Sequence, residues 1–434
     1  AIYQMLKYFL IIIILILPLQ FALNIGENID LVTTRILVPV LFLAWLLKSL
    51  ARKKMSFPNR AEMWLVIAFL FLSSLSLYLG RDAPSGFRKL LYFLTIIPVF
   101  FVAVDMFREE IWRKRAVTAI IFSGAIAAAV GLSQFLFSFL FGVDKSVKIW
   151  ESLAPYFLGN SFGKIVAANS SWLVNIGGET RLRAFGLFPD PHGFAFFVNL
   201  CLFAGLGYFF VSKKTASKIW IGAGVALMIA AVDVSFSRGA YAGLIAGGLF
   251  FAVVFLKRTG MLGKALVAVV LFAALLLAFN SNVVSQRLAS SFNLKEGSNA
   301  ERYKNWVQAA DMVRDYPLGG VGLGNYARTV DPTASNRSSI YAHNLFLDIA
   351  AETGMLNAAT FFILILFAVW RNVKNNNMTS LGLAAGLVAF FVHSLFDTAI
   401  YSPQVLTMFL IIIALGINSS VIPIERRERR NLGA

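Results

Sequence analysis

The three histidines of this sequence are the residues whose chemistry is easiest to place. His343 opens the segment AHNLFLDIAAETG, which also holds Asp348 and Glu352. A neutral imidazole near pH 7 can take a proton from a hydroxyl group. On a helix that begins at His343, Asp348 lies on a different face and is not an obvious partner for the histidine. Two interpretations stay open for His343: a catalytic base, and a hydrogen-bonded histidine at a helix start.

The other two histidines stand in or beside apolar segments. His393 and Asp397 are four residues apart in FFVHSLFDTA, a spacing that places both on one face of a helix. Such a pair inside a membrane serves either a functional site or helix packing. His192 follows PDP at a predicted helix start, where a capping or loop role is favoured over catalysis. The sequence has no HExxH, no DxD and no clustered His/Cys pattern, so we predict neither a metal site nor a cofactor.

Composition shows what must position these residues. The chain has 434 residues, of which 58% are hydrophobic and 14% charged, with a mean hydropathy of +0.73. A soluble domain is about half apolar and a quarter charged, so lipid must be the solvent for much of this chain. The net charge of +17 is not accompanied by a nucleic-acid motif. The single cysteine, Cys201, excludes an intrachain disulfide.

Twelve segments are long and apolar enough to be candidate membrane helices. The first is interpreted as a membrane helix and not as a signal peptide, because no small-residue cleavage site follows it. The fold expected is an all-α polytopic integral membrane protein with about 12 transmembrane helices and a large helical periplasmic loop. The twelve segments run near 6–23, 31–50, 62–79, 89–106, 116–141, 193–212, 218–234, 240–256, 264–280, 353–370, 380–399 and 403–421.

The charges of the connecting loops alternate and predict the orientation of the chain. One set of loops is rich in cations, and positive residues stay inside, so this set and both termini are predicted to be cytoplasmic. The predicted division is helices 1–5 (1–141), an extracytoplasmic loop (142–192), helices 6–9 (193–280), a large extracytoplasmic loop (281–352), and helices 10–12 with a basic cytoplasmic tail (353–434). The cations of the inner set include Lys48, Arg60, Arg108, Arg113, Lys114, Arg115, Lys213, Lys214, Lys218, Lys257, Arg258, Arg371, Lys374, Arg426, Arg427, Arg429 and Arg430.

The large outer loop contains one further predicted helix. Glu301–Tyr316 has apolar residues at helical spacing and ends before Pro317. We expect it to lie on the outer membrane surface or to pack over a cavity. The following GGVGLGNY lacks the Lys-Ser/Thr ending of a P-loop and is interpreted as a tight turn.

Arginines collect on the predicted outer side. Arg181 and Arg183 precede a membrane helix, Arg238 stands in the short turn FSRGAYAG, and Arg302 begins the predicted loop helix. An arginine at the membrane surface is costly unless it pairs or binds a ligand; snorkelling and a structural ion pair are the alternatives for Arg238. Guanidinium groups bind phosphate oxygens in a planar, bidentate way. Together these residues predict a cationic outer pocket for a lipid-linked pyrophosphate.

The same segments resemble the O-antigen ligase and O-antigen polymerase superfamily, bacterial membrane glycosyltransferases of the GT-C type. Four stretches match in order: RAFGLFPDPHGFA at 183–195, SFSRGAYAGLIAG at 235–247, ERYKNWVQAADMVRDYPLGGVGLGNY at 301–326, and AHNLFLDIAAETGMLN at 342–357. The last two are the most specific. At His192 this sequence departs from the family, whose members often have asparagine there.

The resemblance implies transfer of a glycan from undecaprenyl pyrophosphate to an acceptor hydroxyl on the outer side of the inner membrane, with no metal or nucleotide sugar. It implies His343 as the base and Arg183 and Arg238 as pyrophosphate ligands, and we place Arg302 with them. We assign supporting or acceptor-binding roles to a further set of residues: Arg181, Asp348, Glu352, His393 and Asp397.

Several functions remain open at this stage. A ligase acting on lipid A–core or a related lipid or glycolipid acceptor leads. A polymerase of lipid-linked repeat units and a transferase to protein hydroxyls share the same donor, fold and base, and differ in the acceptor. A lipid-linked sugar transporter is disfavoured, because most charges cluster at helix ends and no paired helix interruption is evident. A structural scaffold would leave the outer arginines and histidine unexplained.

Overall fold

Apolar helices dominate the computed structural model, which describes residues 2–26, 29–51, 58–168, 170–258, 297–334 and 340–419. Sheet is limited, in these residues, to two short antiparallel hairpins. The strands are β1 (Ala22–Gly26), β2 (Ile29–Val32), β3 (Leu173–Ile176) and β4 (Glu179–Leu182). The helices up to the first long gap are α1 (Ile2–Ile16), α2 (Thr34–Ala51), α3 (Ala61–Leu75), α4 (Ala83–Ile96), α5 (Pro98–Met106), α6 (Glu110–Phe141), α7 (Val143–Leu158), α8 (Asn160–Ala167), α9 (Pro191–Val211), α10 (Thr215–Asp233) and α11 (Arg238–Arg258).

The chain resumes with the loop helix and its turn and ends in the last apolar helices. These elements are α12 (Gly297–Asp315), α13 (Tyr326–Val330), α14 (Leu345–Thr353), α15 (Met355–Lys374), α16 (Met378–His393) and α17 (Pro403–Ser419). Short 3₁₀ turns cover Ser76–Leu79 and Ser170–Trp172.

The helices support a multi-pass membrane protein. Eight helical stretches of the described residues are long and apolar enough to cross a bilayer, and three shorter apolar helices accompany them. These eleven coincide with predicted segments, and the twelfth, 264–280, lies outside the described residues together with 281–296 and the basic tail after 419. The eight stretches are Thr34–Ala51, Ala61–Leu79, Ala83–Met106, Glu110–Phe141, Pro191–Val211, Thr215–Asp233, Arg238–Arg258 and Met355–Lys374. The total of about twelve spans therefore stays a prediction.

The structure differs from the prediction at two helix ends and in one loop. The first helix ends at Ile16 because Pro18 follows, and the chain turns into the β1–β2 hairpin. Segment 142–192, predicted only as a loop, contains α7, α8 and the β3–β4 hairpin. The segment predicted over 380–399 stops being helical at His393.

Small residues bring the central helices α9, α11 and α16 into close contact. Gly239, Gly243 and Gly247 form one stripe along α11 that faces α16. A methyl group at Gly243 would come within 2.6 Å of the carbonyl oxygen of Ala389, and one at Gly239 within 2.6 Å of the ring of His393. The stripe therefore fixes the start of α11 directly against the end of α16, where the histidines meet.

The glycine-rich turn after α12 fixes a second contact. Gly320 and Gly322 both have positive φ, of 66° and 96°, which glycine adopts without strain. The amide of Val321 donates to the carbonyl of Ala351 in α14 at 2.8 Å. A side chain at Gly322 would collide with the backbone of Gly80. The turn thus fixes the loop helix against α14 and the start of α4. The segment forms a tight turn, as the sequence predicted.

Candidate active site

Asp397 is the centre of a polar cluster to which four separate parts of the chain contribute. Its Oδ1 lies 3.3 Å from Nδ1 of His343. Its Oδ2 lies 3.1 Å from Nδ1 of His192 and 3.8 Å from a terminal guanidinium nitrogen of Arg302. The carboxylate itself is buried. One negative charge is therefore shared by two imidazoles and a guanidinium.

The position of Asp397 corrects the sequence prediction. It does not share a helical face with His393, because α16 ends at His393 and the next residues form tight turns. The amides of Leu395 and Phe396 bond to carbonyls three residues earlier, and the Asp397 carboxylate accepts from the amide of Thr398 at 2.9 Å. A short polar side chain that bonds its neighbouring backbone competes with helix continuation.

His343 lies in a loop, where its backbone has a positive φ of +53°. The helix after it begins at Leu345 and is capped by Asn344, whose side chain accepts from Phe346 and Leu347 at 3.1 Å. The amide of Leu345 donates to the carbonyl of Ser394 at 2.9 Å, which ties this loop to the turn of Asp397. His343 keeps 26% of its side chain exposed, so one edge of the ring is open to an incoming group.

Asp348 positions His343 through the backbone. Its carboxylate accepts from the amide of Ala342 at 2.7 Å and from the hydroxyl of Thr398. The two anchored residues are the direct neighbours of His343 and Asp397. Asp348 therefore holds the loop that carries His343, although it does not contact the imidazole. The sequence prediction placed Asp348 on another helical face and missed this role, because the helix does not begin at His343.

His192 and His393 join the cluster from the membrane side. Nδ1 of His192 lies 2.9 Å from the hydroxyl of Ser237, which lies 3.4 Å from Nε2 of His393. The His393 ring stacks on Phe196 with a centroid distance of 3.5 Å. The capping interpretation of His192 is wrong, because Asp190 caps α9 by accepting from the Gly193 amide at 2.7 Å.

The predicted arginines take different places. Arg302 enters the cluster because it lies on the same face of α12 as Trp306 and Ala309, and Ala309 is buried against α14. Arg183 is buried and donates to the carbonyls of Ser235 and Ser171 at 2.8 and 3.1 Å, which braces the turn before α11.

The other two predicted arginines, Arg238 and Arg181, lie at a helix start and on a hairpin. Arg238 is buried at the first residue of α11, next to Ser237. Arg181 instead pairs with Glu179 on its own hairpin at 2.8 Å and stays partly exposed, so the structure does not bring it into the cluster.

Glu352 forms an ion pair between two helices beside the site. Its carboxylate lies 2.6 Å from the ammonium of Lys89 in α4, and that ammonium lies 3.8 Å from the ring centre of Tyr401. The side chain is buried, and the ion pair joins α14 to α4 beside the glycine turn. We find Glu352 in a bridge between elements and not among the groups around Asp397.

The charge of Asp397 stabilises the protonated form of His343. Burial lowers the pKa of His343, but the hydrogen bond and the charge of Asp397 outweigh burial and raise this pKa above its ordinary value. Burial likewise raises the pKa of Asp348 to about 7, opposed by its bonds from Thr398 and Ala342. Burial and the nearby charge of Asp397 raise the pKa of Asp190 to about 6.

The sequence analysis did not predict a site role for two members of the cluster, Ser237 and His192. Ser237 had no signal apart from its place before Arg238 in FSRGAYAG, and the departure at His192 was the only hint for that residue. Both lie at helix starts that the sequence predicted, but their convergence depends on the α11–α16 contact. Among the described residues, no group of three or more His, Cys, Asp and Glu side chains is placed to hold a metal ion.

A comparison with known families matches part of the chain. The family model described as O-antigen ligase matches residues 223–362, a segment that holds Ser237, Arg238, Arg302, His343 and Asp348. Asp397 and His393 lie after the matched segment, and His192 lies before it. No curated protein matches the chain. The match over residues 223–362 supports the resemblance of the chain to the O-antigen ligase and polymerase superfamily.

Proposed function

We propose that this protein is a glycosyltransferase that moves a glycan from undecaprenyl pyrophosphate to a hydroxyl of lipid A–core or a related surface acceptor, with inversion and without a metal ion. The family supports an O-antigen ligase or polymerase type of function. The observation that carries the finer proposal is the contact between Nδ1 of His343 and Asp397, with Arg302 on the other carboxylate oxygen.

His343 is suited to the role of general base. With Nδ1 donating to Asp397, the second ring nitrogen, Nε2, has its lone pair available for a proton. In the proposed step the acceptor hydroxyl gives its proton to Nε2, and its oxygen forms a bond to the anomeric carbon. The bond between that carbon and the pyrophosphate oxygen breaks, and the pyrophosphate stays on the polyprenyl chain. Attack opposite to the leaving group inverts the anomeric centre.

The arginines suit the leaving group. Negative charge grows on the pyrophosphate as the glycosidic bond breaks, and fixed cations aimed at that charge stabilise the transition state more than the ground state. Arg302 has the longest of the three contacts to Asp397, at 3.8 Å, and its side chain is 16% exposed. A phosphate oxygen can therefore compete for it. Arg238 at the start of α11 is the second donor ligand that we propose, and Arg183 braces the turn that carries it.

The membrane side of the proposal follows from the helices and the charge pattern. The apolar helices would hold the polyprenyl tail in the bilayer. The orientation predicted from the loop cations puts the cluster at the outer, periplasmic end of α9, α11 and α16. We therefore propose a multi-pass protein of the inner membrane with an extracytoplasmic active site.

One assay tests the proposal and separates it from the polymerase alternative. Protein in lipid nanodiscs would receive a labelled undecaprenyl-pyrophosphate oligosaccharide in EDTA, with and without lipid A–core. A single product that requires lipid A–core is expected of a ligase. A ladder from donor alone would instead show a polymerase with the same base, and product only with a protein acceptor would show a protein-directed transferase.

The matched variants tie the product to the site. His343→Ala should lower the rate by roughly 10²- to 10⁴-fold, the usual contribution of a general base. Arg181→Ala, outside the cluster, should keep the rate near that of the unmodified protein. Equal activity of folded His343→Ala and unmodified protein would refute the base assignment, and loss of all product in EDTA, restored by Mg²⁺, would refute metal independence.

A further inference from the structure

A groove between α1 and α6 lies far along the chain from the histidine cluster and has a distinct chemistry. Its volume is about 360 Å³. Two cations stand at one end and apolar side chains continue along it: Lys114, Arg115, Ile11, Leu15, Ala119 and Phe122. Phe122 is 56% exposed, so the groove opens toward the surroundings of the helices. Glu110–Phe141 is one of the candidate membrane spans, so we expect lipid to face this groove.

Arg115 is held in place at the mouth of this groove. Its guanidinium donates to the hydroxyl of Tyr8 at 3.1 Å and lies 4.6 Å from the ring centre of Trp112. Tyr8 and Trp112 pack edge to face at 4.9 Å, which fixes the two rings against each other. The guanidinium is thus oriented before any ligand arrives.

The charge of Arg115 has no carboxylate partner among the described residues. Lys114, its neighbour, pairs with Glu110 at 2.6 Å. Lys7 pairs with Glu109 deeper between the helices. The contacts of Arg115 are aromatic and hydroxyl groups. An anion with planar oxygens would complete its hydrogen bonds in the bidentate way that arginine favours.

The apolar part of the groove continues from this cation in one direction. Thr118 and Phe122 follow Arg115 by three and seven residues on the same side of α6, and Ile11 and Leu15 follow Tyr8 on α1. At a rise of about 1.5 Å per residue, the lining runs about 10 Å from the cation into the span. A ligand that fits has an anionic head and an extended apolar chain.

We infer that this groove binds an anionic phospholipid, with the phosphate at Arg115 and an acyl chain along α1 and α6. The loop charges place this end of both helices in the cytoplasmic leaflet, which carries anionic lipids that basic pockets between helices recognise. The proposal concerns the opposite end of the helix bundle from the histidine cluster and does not depend on the catalytic assignment.

Native mass spectrometry of the detergent-purified protein tests this inference. The protein would be mixed with equal amounts of phosphatidylglycerol and phosphatidylcholine of identical acyl chains. The unmodified protein should retain phosphatidylglycerol in preference, and Arg115→Gln should lower that preference about fivefold, as expected for one cation near the headgroup.

The matched control is Lys374→Gln. Lys374 also holds its ammonium near a tryptophan, 4.9 Å from the ring centre of Trp370, in the last turn of another span. It should leave the preference unchanged. Equal losses in Arg115→Gln and Lys374→Gln would refute the site, because general surface charge would then explain the retention.

A second variant tests the acyl part of the site without touching charge. Thr118→Leu places a larger apolar side chain in the groove and should lower retention of phosphatidylglycerol, with an unchanged melting temperature. Retention equal to that of the unmodified protein would refute the acyl position. Absence of any preference in the unmodified protein would refute the proposal as a whole.

Discussion

Replacement of Asp397 by asparagine removes the negative charge at the centre of the cluster and keeps the shape of the side chain. Oδ1 lies 3.3 Å from Nδ1 of His343. Unit charges at that distance interact by ~5 kcal/mol at an effective dielectric constant of about 20, and by ~1 kcal/mol in bulk water. Because a quarter of the His343 side chain is exposed, solvent screens this contact. We therefore expect a loss of roughly 1.5–3 kcal/mol, the usual worth of a hydrogen bond to a charged group.

The sign of the pH effect follows from the role of His343. The base must be neutral to accept a proton, so the rate falls as pH drops through the pKa of His343. Asp397 raises this pKa. Asp397→Asn should therefore move the acidic limb of kcat/KM to lower pH by about one unit or more, since one unit corresponds to ~1.4 kcal/mol. The plateau rate should fall roughly 10- to 150-fold, because the imidazolium formed in the transition state loses its partner.

The assay is the pH profile of glycan transfer in nanodiscs, measured for the variant and for a charge-matched control. Asp311→Asn removes one carboxylate from α12, where Asp311 pairs with Arg314 and is half exposed. This control should keep both the limb and the plateau. If folded Asp397→Asn showed the limb and plateau of the unmodified protein, Asp397 would not hold the catalytic base and the assignment of His343 would lose its main support.

Three other changes probe the frame and the donor site. Asp348→Asn should lower kcat about tenfold with little effect on the KM for the donor, because it loosens the loop that carries the base; equal changes in both constants would contradict this. Gly320→Ala should lower the free energy of unfolding by ~2–4 kcal/mol, since φ is +66° and the new methyl would collide with α14. Gly248→Ala, whose methyl would meet nothing within 4 Å, should leave the free energy of unfolding unchanged. Thermal unfolding measures both variants. Arg302→Gln should lower kcat/KM for the donor by about tenfold, and Arg314→Gln on the exposed face of the same helix should not; rates measured over a donor titration decide between them.

The sequence predicts the helices well because lipid imposes a simple rule. About 20 apolar residues are needed to span a bilayer, and the ends of most segments coincide with a Pro, Gly or charged residue. The hairpin of β3 and β4 was not predicted, because each strand has four residues and no sustained alternation. The glycine turn was predictable, since consecutive positive-φ positions require glycine.

The cluster was only partly predictable because it depends on where two helices stop. The segment around His393 remains apolar to Phe396, so hydropathy extends the helix past the point where the backbone tightens into turns. His343 was assigned to a helix face, yet the helix begins two residues later because Asn344 is a better cap. Each shift of one or two residues changes which side chains face each other. The candidate base was therefore found from residue type, and its carboxylate partner only from the fold.

A balance of charges explains why one carboxylate serves three cationic or basic groups. With the donor absent and the histidines neutral, Asp397 and Arg302 cancel each other. During transfer His343 gains a positive charge at the same time as the departing pyrophosphate gains a negative one. If Arg302 already faces the bound pyrophosphate, each new charge meets a fixed opposite charge and no counterion has to move in from water. Fixed groups that require no reorganisation are the main source of electrostatic catalysis. On this reasoning Asp397 acts mainly on the chemical step, which is why its loss should appear in kcat and in the acidic limb, and much less in donor affinity.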